Sequence, residues 1–260
     1  MPAKRILTVT LCALLLAGAG CKKTSTASSP SEPAKNYTTI DWNNSGTILG
    51  TIHFTGKAPQ RIKIDMGQDP VCSLAPDNYT EQYVVQNGGL EDVFVYIKDG
   101  LGDKAYAPSS TPVVMDQKGC RFAPHVIGVM AGQPVEFTNS DATMHNVHMI
   151  PTLSTNQSVD ISEPPNGAGE RRTLATPELM IPVRCNNHPW MQGFINVVSN
   201  PFYAVSGDDG HFTIKGVPPG TYTIVSDHQE LGQKTATVTV SPQHTSVIDI
   251  TYDIGSGTAR

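Results

Sequence analysis

Two short stretches of this 260-residue chain carry metal-donor side chains at close spacing. Residues 185–191 read C-N-N-H-P-W-M and place a thiol, an imidazole and a thioether (Cys185, His188 and Met191) on one loop. Upstream, residues 144–149 read M-H-N-V-H-M, so one of His145 and His148 can add a second imidazole. Two imidazoles, a thiolate and a weak thioether are the donors with which a single copper ion transfers electrons. Thiolate and thioether suit Cu(I), and imidazole suits both oxidation states. A geometry between the two preferences lowers the reorganisation that accompanies each transfer. Zinc takes Cys, His and carboxylate but rarely thioether, so the set favours copper. A lone His or Met is ordinarily just a packed residue. It is the chain order, His and then Cys-x2-His-x2-Met some forty positions on, that singles these residues out. Positions three apart on a strand face opposite sides, so His145 and His148 do not both reach one ion.

Apparatus for chemistry on a substrate is missing. No HExxH, HxxE, GxSxG, Walker A or Rossmann glycine pattern occurs. The expectation is therefore a protein that is not an enzyme and whose metal changes only its oxidation state.

The elements that must position these donors read as strands. Short Val, Ile, Thr, Phe and Tyr runs recur between Gly, Pro, Asn and Asp punctuation, at 47–54, 93–98, 133–138, 194–198, 222–225 and 235–240. Alternation is plain in V-F-V-Y-I from Val93, and V-P-P-G-T-Y from Val217 reads as a tight connection between two strands. No helix of ten or more residues is evident. The expected fold class is all-β, a sandwich or barrel.

Residues 113–199 resemble the cupredoxins, and the amicyanins most closely. V-V-M-D-Q-K-G-C-R-F-A-P resembles the first cupredoxin strand and its turn, and V-M-A-G-Q-P-V-E-F-T-N the strand before the first ligand. H-N-V-H and C-N-N-H-P-W-M match in pattern and loop length, whereas P-E-L-M-I-P-V-R-C departs from the usual strand leading to the cysteine. The resemblance implies a Greek-key β-sandwich holding one type 1 copper with His145, Cys185, His188 and Met191 as ligands. It also implies Asn146 as the residue steadying the thiolate, and an apolar docking patch at Pro189 and Trp190 around the His188 edge. Cys185 is flanked by Arg184 and Asn186, so the histidine relay that links two copper centres in multicopper oxidases and copper nitrite reductases is missing, as is a Cys-x3-Cys. The implied partner is a redox protein such as a c-type cytochrome or a dehydrogenase.

Two flanks surround this stretch. From Asn200, D-G-H-F-T-I and V-P-P-G-T-Y resemble a carboxypeptidase regulatory-like, transthyretin-type β-sandwich. G-T-I-L-G-T-I-H-F-T-G-K-A-P from Gly46 resembles the opening strand of that fold, and V-F-V-Y-I-K-D its next strand. The expected division is 46–112 and 200–253 as two parts of one sandwich, 113–199 as the cupredoxin between them, and 254–260 as a tail. The rival division is an N-terminal extension plus a separate C-terminal domain. His228 and Glu230 stay without a functional role.

Lys4, Arg5, the apolar run Ile6–Leu16 and small residues before Cys21 read as a signal peptide over 1–20. Cys21 directly after the small residues resembles the lipidated cysteine of a bacterial lipoprotein. Residues 21–45, rich in Ser, Thr, Pro and Lys, read as a tether to a membrane. The expected site is the periplasmic face of a bacterial membrane or the cell surface; the sequence does not fix which membrane, though Lys22 does not resemble an inner-membrane retention signal and so favours the outer one. Export favours oxidised cysteines. With Cys12 lost and Cys21 lipidated, Cys72, Cys120 and Cys185 remain, and a Cys72–Cys120 disulfide leaves Cys185 for the metal. The rival for that pair is a second metal site with His125. Lys and Arg number 18 against 23 Asp and Glu, a net charge of −5, and loss of Lys4 and Arg5 with the signal makes it −7. That balance argues against nucleic acid as a partner, since nucleic acid selects for basic surfaces. Two other functional classes carry through from sequence: periplasmic copper delivery or storage, which calls for a solvent-open site, and a cell-surface binding module.

Overall fold

The computed structural model describes residues 36–254 apart from 77, and all of these lie in one compact unit. The signal-peptide, tether and lipidation assignments, and the tail from 255, fall outside the described residues, save the last tether residues 36–45. Among the described residues the regular structure is nineteen strands and one 3-10 turn at Cys72–Leu74.

Strands cut by Gly and Pro pair in two separate sets. The first set joins the flanks. It comprises β1 (Gly46–Phe54), β2 (Val85–Gln86), β3 (Gly89–Leu90), β4 (Phe94–Asp99) and, after a long interval, β14 (Tyr203–Val205), β15 (His211–Val217), β16 (Gly220–His228), β17 (Gly232–Val240), β18 (Thr245–Val247) and β19 (Ile250–Tyr252). β1 lies beside β15, β3, β18 and β19 in one sheet, and β14-β4-β16-β17 make a second. Alternation along β1 turns Ile48, Ile52 and Phe54 inward. There they meet Val95, Ile97, Phe212, Ile214 and Ile224 in one apolar core. Gly50 has no alternative residue: a Cβ would stand 2.0 Å from the Ile248 carbonyl and 2.5 Å from the Phe212 ring. β4 and β14 are hydrogen-bonded neighbours, Tyr203 opposite Tyr96, although the whole second set of strands separates them in the chain.

That second set holds β5 (Val113–Gln117), β6 (Phe122–Ala123), β7 (Val126–Met130), β8 (Pro134–Asn139), β9 (His145–Met149), β10 (Val159–Glu163), β11 (Glu170–Thr173), β12 (Glu178–Arg184) and β13 (Gln192–Val198). They form sheets β10-β9-β12-β13-β7 and β11-β8-β5-β6, with β5–β8 and β7–β13 parallel. Met115, Phe122, Val129, Phe137, Val147, Val183 and Ile195 fill the space between the sheets. Chain entry to and exit from this set are close together, because Val198 pairs with Met130 and the Gln133 side-chain amide donates to the Thr111 carbonyl at 3.0 Å. The departure at P-E-L-M-I-P-V-R-C corresponds to an irregularity: the β12–β13 register shifts between Glu178 and Ile181, and Met180 takes φ +50°.

The two sets pack through Phe94, Tyr96, Tyr203 and Val205 on one side and Val126, Met180, Phe194 and Val198 on the other. Gly128 permits the approach, since a Cβ there would lie 2.5 Å from Phe94 and 2.6 Å from Tyr203. Phe194 is therefore a core residue, as its place on a strand predicts.

Candidate metal centre

β9 delivers His145 and the β12–β13 loop delivers the rest. Along β9 the side chains alternate, so His145 is fully buried while His148 is half-buried and bonds Asn186 Oδ1 through Nδ1 at 3.0 Å. The two side chains leave β9 on opposite faces, with His145 inside. The loop is closed at both ends by its own backbone: Cys185 N–H donates to the Met191 carbonyl at 3.3 Å, and Met191 N–H to the His188 carbonyl at 2.9 Å. This tight turn draws the backbones of Cys185, His188 and Met191 together, and all three side chains are buried.

Donor atoms of His145, Cys185 and His188 lie within 4.8 Å of one another. His145 Nδ1 and His188 Nδ1 are 2.9 Å apart, and Cys185 Sγ is 3.5 Å from His188 Nδ1. Donors sharing one ion at metal–nitrogen bonds of about 2.0 Å and a metal–sulfur bond of about 2.3 Å stand roughly 3 to 4 Å apart. The three residues fit a single small ion, and Met191, buried on the same turn, carries a thioether of the kind copper accepts and zinc rarely does. Cys185 is the free cysteine among the described residues, and the disulfide Cys72–Cys120 is present. The rival second metal site therefore has no thiols. His125, its third member, instead bonds the Gln192 carbonyl at 3.0 Å and Gln229 Oε1 at 3.2 Å, and burial drives its pKa to about 4, leaving it neutral.

Asn146 steadies the sulfur in a divided way. Its backbone N–H donates to Cys185 Sγ at 3.3 Å, while its side chain accepts from Asn186 N–H at 3.1 Å and donates to Asp160 and to the Ile161 carbonyl. The side chain thus ties β10 to the ligand loop.

Two carboxylates behind the imidazoles carry no signal in the sequence. His145 Nε2 meets Asp141 Oδ2 at 2.9 Å, and His188 Nε2 meets Asp69 Oδ2 at 3.3 Å. Asp141 also accepts the N–H groups of Gly119 and Cys120. Burial pushes the His145 imidazolium down and outweighs the opposing pull of Asp141, which favours the neutral, ligating ring. Asp69 resists its own burial: the N–H groups of Cys72 and Val71, the Thr143 hydroxyl and His188 hold its carboxyl down at about 2. Asp69 sits 119 positions from His188 in the strap between β1 and β2, where no periodicity signals it. D-P-x-C reads only as a turn, which it also is.

The strap changes the expected docking face. His188 is 4% exposed, and its outer ring edge is turned to Asp69 and not to solvent. Of the expected patch, Pro189 is exposed, and Trp190 is half-buried with its indole N–H on the Cys120 carbonyl at 3.2 Å. The Trp190 ring lies 5.2 Å from the His188 ring. Pro189 and Trp190 line a shallow depression of about 130 Å³ together with Ile64, His125, Gln192 and Gln229.

The fold is all-β, and the strands from 113 to 198 form a two-sheet β-sandwich carrying this cluster. No protein-family model matches the chain, and no curated protein matches it. Solved structures do. A copper-containing nitrite reductase from Thermus scotoductus SA-01 aligns with 38% of this chain at 27% identity and a TM-score of 0.32, and the chain spans 25% of the reductase's length. A methionine-to-alanine variant of amicyanin in the Cu(I) state aligns over 37% of this chain and all of its own, at 20% identity and a TM-score of 0.31. A second such amicyanin variant, also Cu(I), covers 42% of this chain at 17% identity and a TM-score of 0.31.

Proposed function

We propose that this chain is an exported, lipid-anchored electron-transfer protein with one type 1 copper, held by His145, Cys185, His188 and Met191. The observation that carries the reading is the convergence of two imidazole nitrogens and one unpaired thiol sulfur in a buried place, with a thioether on the same loop. Bound copper supplies a one-electron couple. The chain's own residues do the remainder: the backbone N–H of Asn146 holds the thiolate, the 185–191 turn sets the loop, and the closed surroundings keep water out. Burial of the donors speaks against copper delivery or storage, which needs easy access. The exposed Pro189 and the Trp190 ring offer a partner such as a c-type cytochrome or dehydrogenase a contact one ring removed from His188. Electron-transfer contacts are small, under about 1,200 Å² in total, so such a partner needs only a limited face. The flanking strands, read as one carboxypeptidase regulatory-like sandwich with the cupredoxin inserted, act as its carrier at the membrane.

The visible and EPR spectra of the Cu(II)-loaded chain, beside the Cys185→Ala variant, test the reading. An intense thiolate-to-copper band that ascorbate bleaches and the variant lacks is the expected result. A colourless protein that retains metal would sink it.

A further inference from the structure

The two carboxylates and the strap point to a role that the cupredoxin portion does not hold alone. Each candidate ligand imidazole has its Nδ1 turned to the donor cluster and its Nε2 turned to a carboxylate, Asp141 for His145 and Asp69 for His188. Both carboxylates are themselves held. Asp141 Oδ1 and Oδ2 accept the N–H groups of Gly119 and Cys120, each at 2.7 Å. Asp69 Oδ1 accepts from Val71 and Cys72 at 2.7 and 3.0 Å, and its Oδ2 takes the Thr143 hydroxyl at 2.8 Å. The segment bearing Asp69 is fastened to the sandwich by the Cys72–Cys120 disulfide and by Asn78, whose amide donates to the Gly119 carbonyl at 2.7 Å. An imidazole whose Nε2–H is given to a fixed acceptor has its other nitrogen free for a metal and its ring plane set. A negative charge placed behind such a ring also favours the more highly charged state of the metal in front of it.

We propose that Asp69 and Asp141 are positioning residues of the metal centre: they lock His188 and His145 with Nδ1 toward the metal, and their charges favour Cu(II) over Cu(I). This inference rests on the copper reading above. It makes the strap between β1 and β2, which precedes the cupredoxin strands, a working part of the site. An acceptor is what matters at Nε2, so Asp→Asn, which keeps the size and offers a weaker, uncharged oxygen, is the probing change.

The test uses the copper-loaded full chain, Asp69→Asn, Asp141→Asn and the double variant. The Cu(II)/Cu(I) ratio is read against a redox buffer, and the imidazole N–H protons of the diamagnetic Cu(I) form are read by nitrogen-edited NMR. Each single variant keeps the thiolate band but shifts the ratio toward Cu(I), on the order of tenfold for a unit charge lost several ångströms from the metal. The slowly exchanging Nε2 proton of His188 disappears in Asp69→Asn only, and that of His145 in Asp141→Asn only. A role confined to folding would change yield or melting temperature and leave both readouts in place. Ratios within twofold of wild type with unchanged ring protons overturn the inference while the blue site stands. Absence of both slow ring protons from the wild-type protein overturns it without any variant. A wild-type chain with no thiolate band removes the copper reading and this inference with it.

Discussion

Selection between two neighbouring histidines shows how a one-letter pattern becomes a position in space. His145 and His148 sit three apart on β9, and the pleat sends them to opposite faces. His145→Ala should abolish the thiolate-to-copper band, whereas His148→Ala should leave it, because His148 meets only the Asn186 side chain at the loop's outer rim. Absorption spectra of the two Cu(II)-loaded variants check this, and the opposite pattern would exchange the assignments. The ligand types and their spacing were readable because three of them share a seven-residue turn. Asp69 and Asp141 were not readable. Their meaning comes from the tertiary approach of Nε2 to a carboxylate, and a solvated Asp in a turn looks the same in sequence. The covered edge of His188 was hidden for the same reason.

Elements were legible to the extent that they alternate. The run at 47–54 appears as β1, one residue longer at its start, and that at 93–98 as β4, displaced by one residue; β1 turns its apolar side chains to one core, whereas β4 buries Val95 and Ile97 on one face and Phe94 on the other. Longer strands such as β16 and β17 extend through polar residues, Ser226, Asp227 and His228 among them, which pairing and burial carry beyond the apolar pattern. The strap was not legible as an element, since it holds one 3-10 turn and one isolated bridge, Lys63 with Tyr79. The short turn between β3 and β4 carries a pH response. Asp92 stands there at φ +63°, buried, and burial with Glu91 nearby raises its carboxyl from 3.8 to about 7 against the pull of Arg61. A carboxyl raised in the folded state contributes most below its unfolded value, and the contribution is lost as pH climbs through the folded value. Stability should therefore decline between pH 4 and pH 7 by an amount on the order of a few kcal/mol, at roughly 1.4 kcal/mol for each pH unit. Asp92→Asn, which tolerates a left-handed backbone, should flatten that decline and stabilise the protein at pH 8. Urea titrations at pH 4.5 and pH 8 decide it: an equal pH dependence in variant and wild type would refute the buried-carboxyl account.

At the scale of the whole molecule, the strap and the second set of strands are joined covalently. Cys72 and Cys120 close a loop of 48 positions, which by chain entropy contributes roughly 4 kcal/mol, an upper figure. The double substitution Cys72→Ser with Cys120→Ser should lower the unfolding free energy by up to that amount, and denaturant midpoints measure it. A change below about 1 kcal/mol would mean that Asn78, Arg121 and the Met66 contact hold the strap unaided. The thiol count together with the expectation of export is enough to anticipate this bridge from sequence. They do not reveal that the bridge fastens a carboxylate onto a candidate metal ligand, since that follows from how the strap crosses the sandwich.

β4 and β14 lie side by side, yet some hundred residues intervene between Asp99 and Tyr203. As the chain emerges in synthesis, β4 must wait unpaired while all nine strands of the second set are made. Closing so long an unstructured loop costs roughly 4 kcal/mol in entropy, but a folded insert brings its own ends together at Met130 and Gln133. The order of assembly follows: the inserted sandwich forms first and acts as the clasp on which the surrounding sheet is completed.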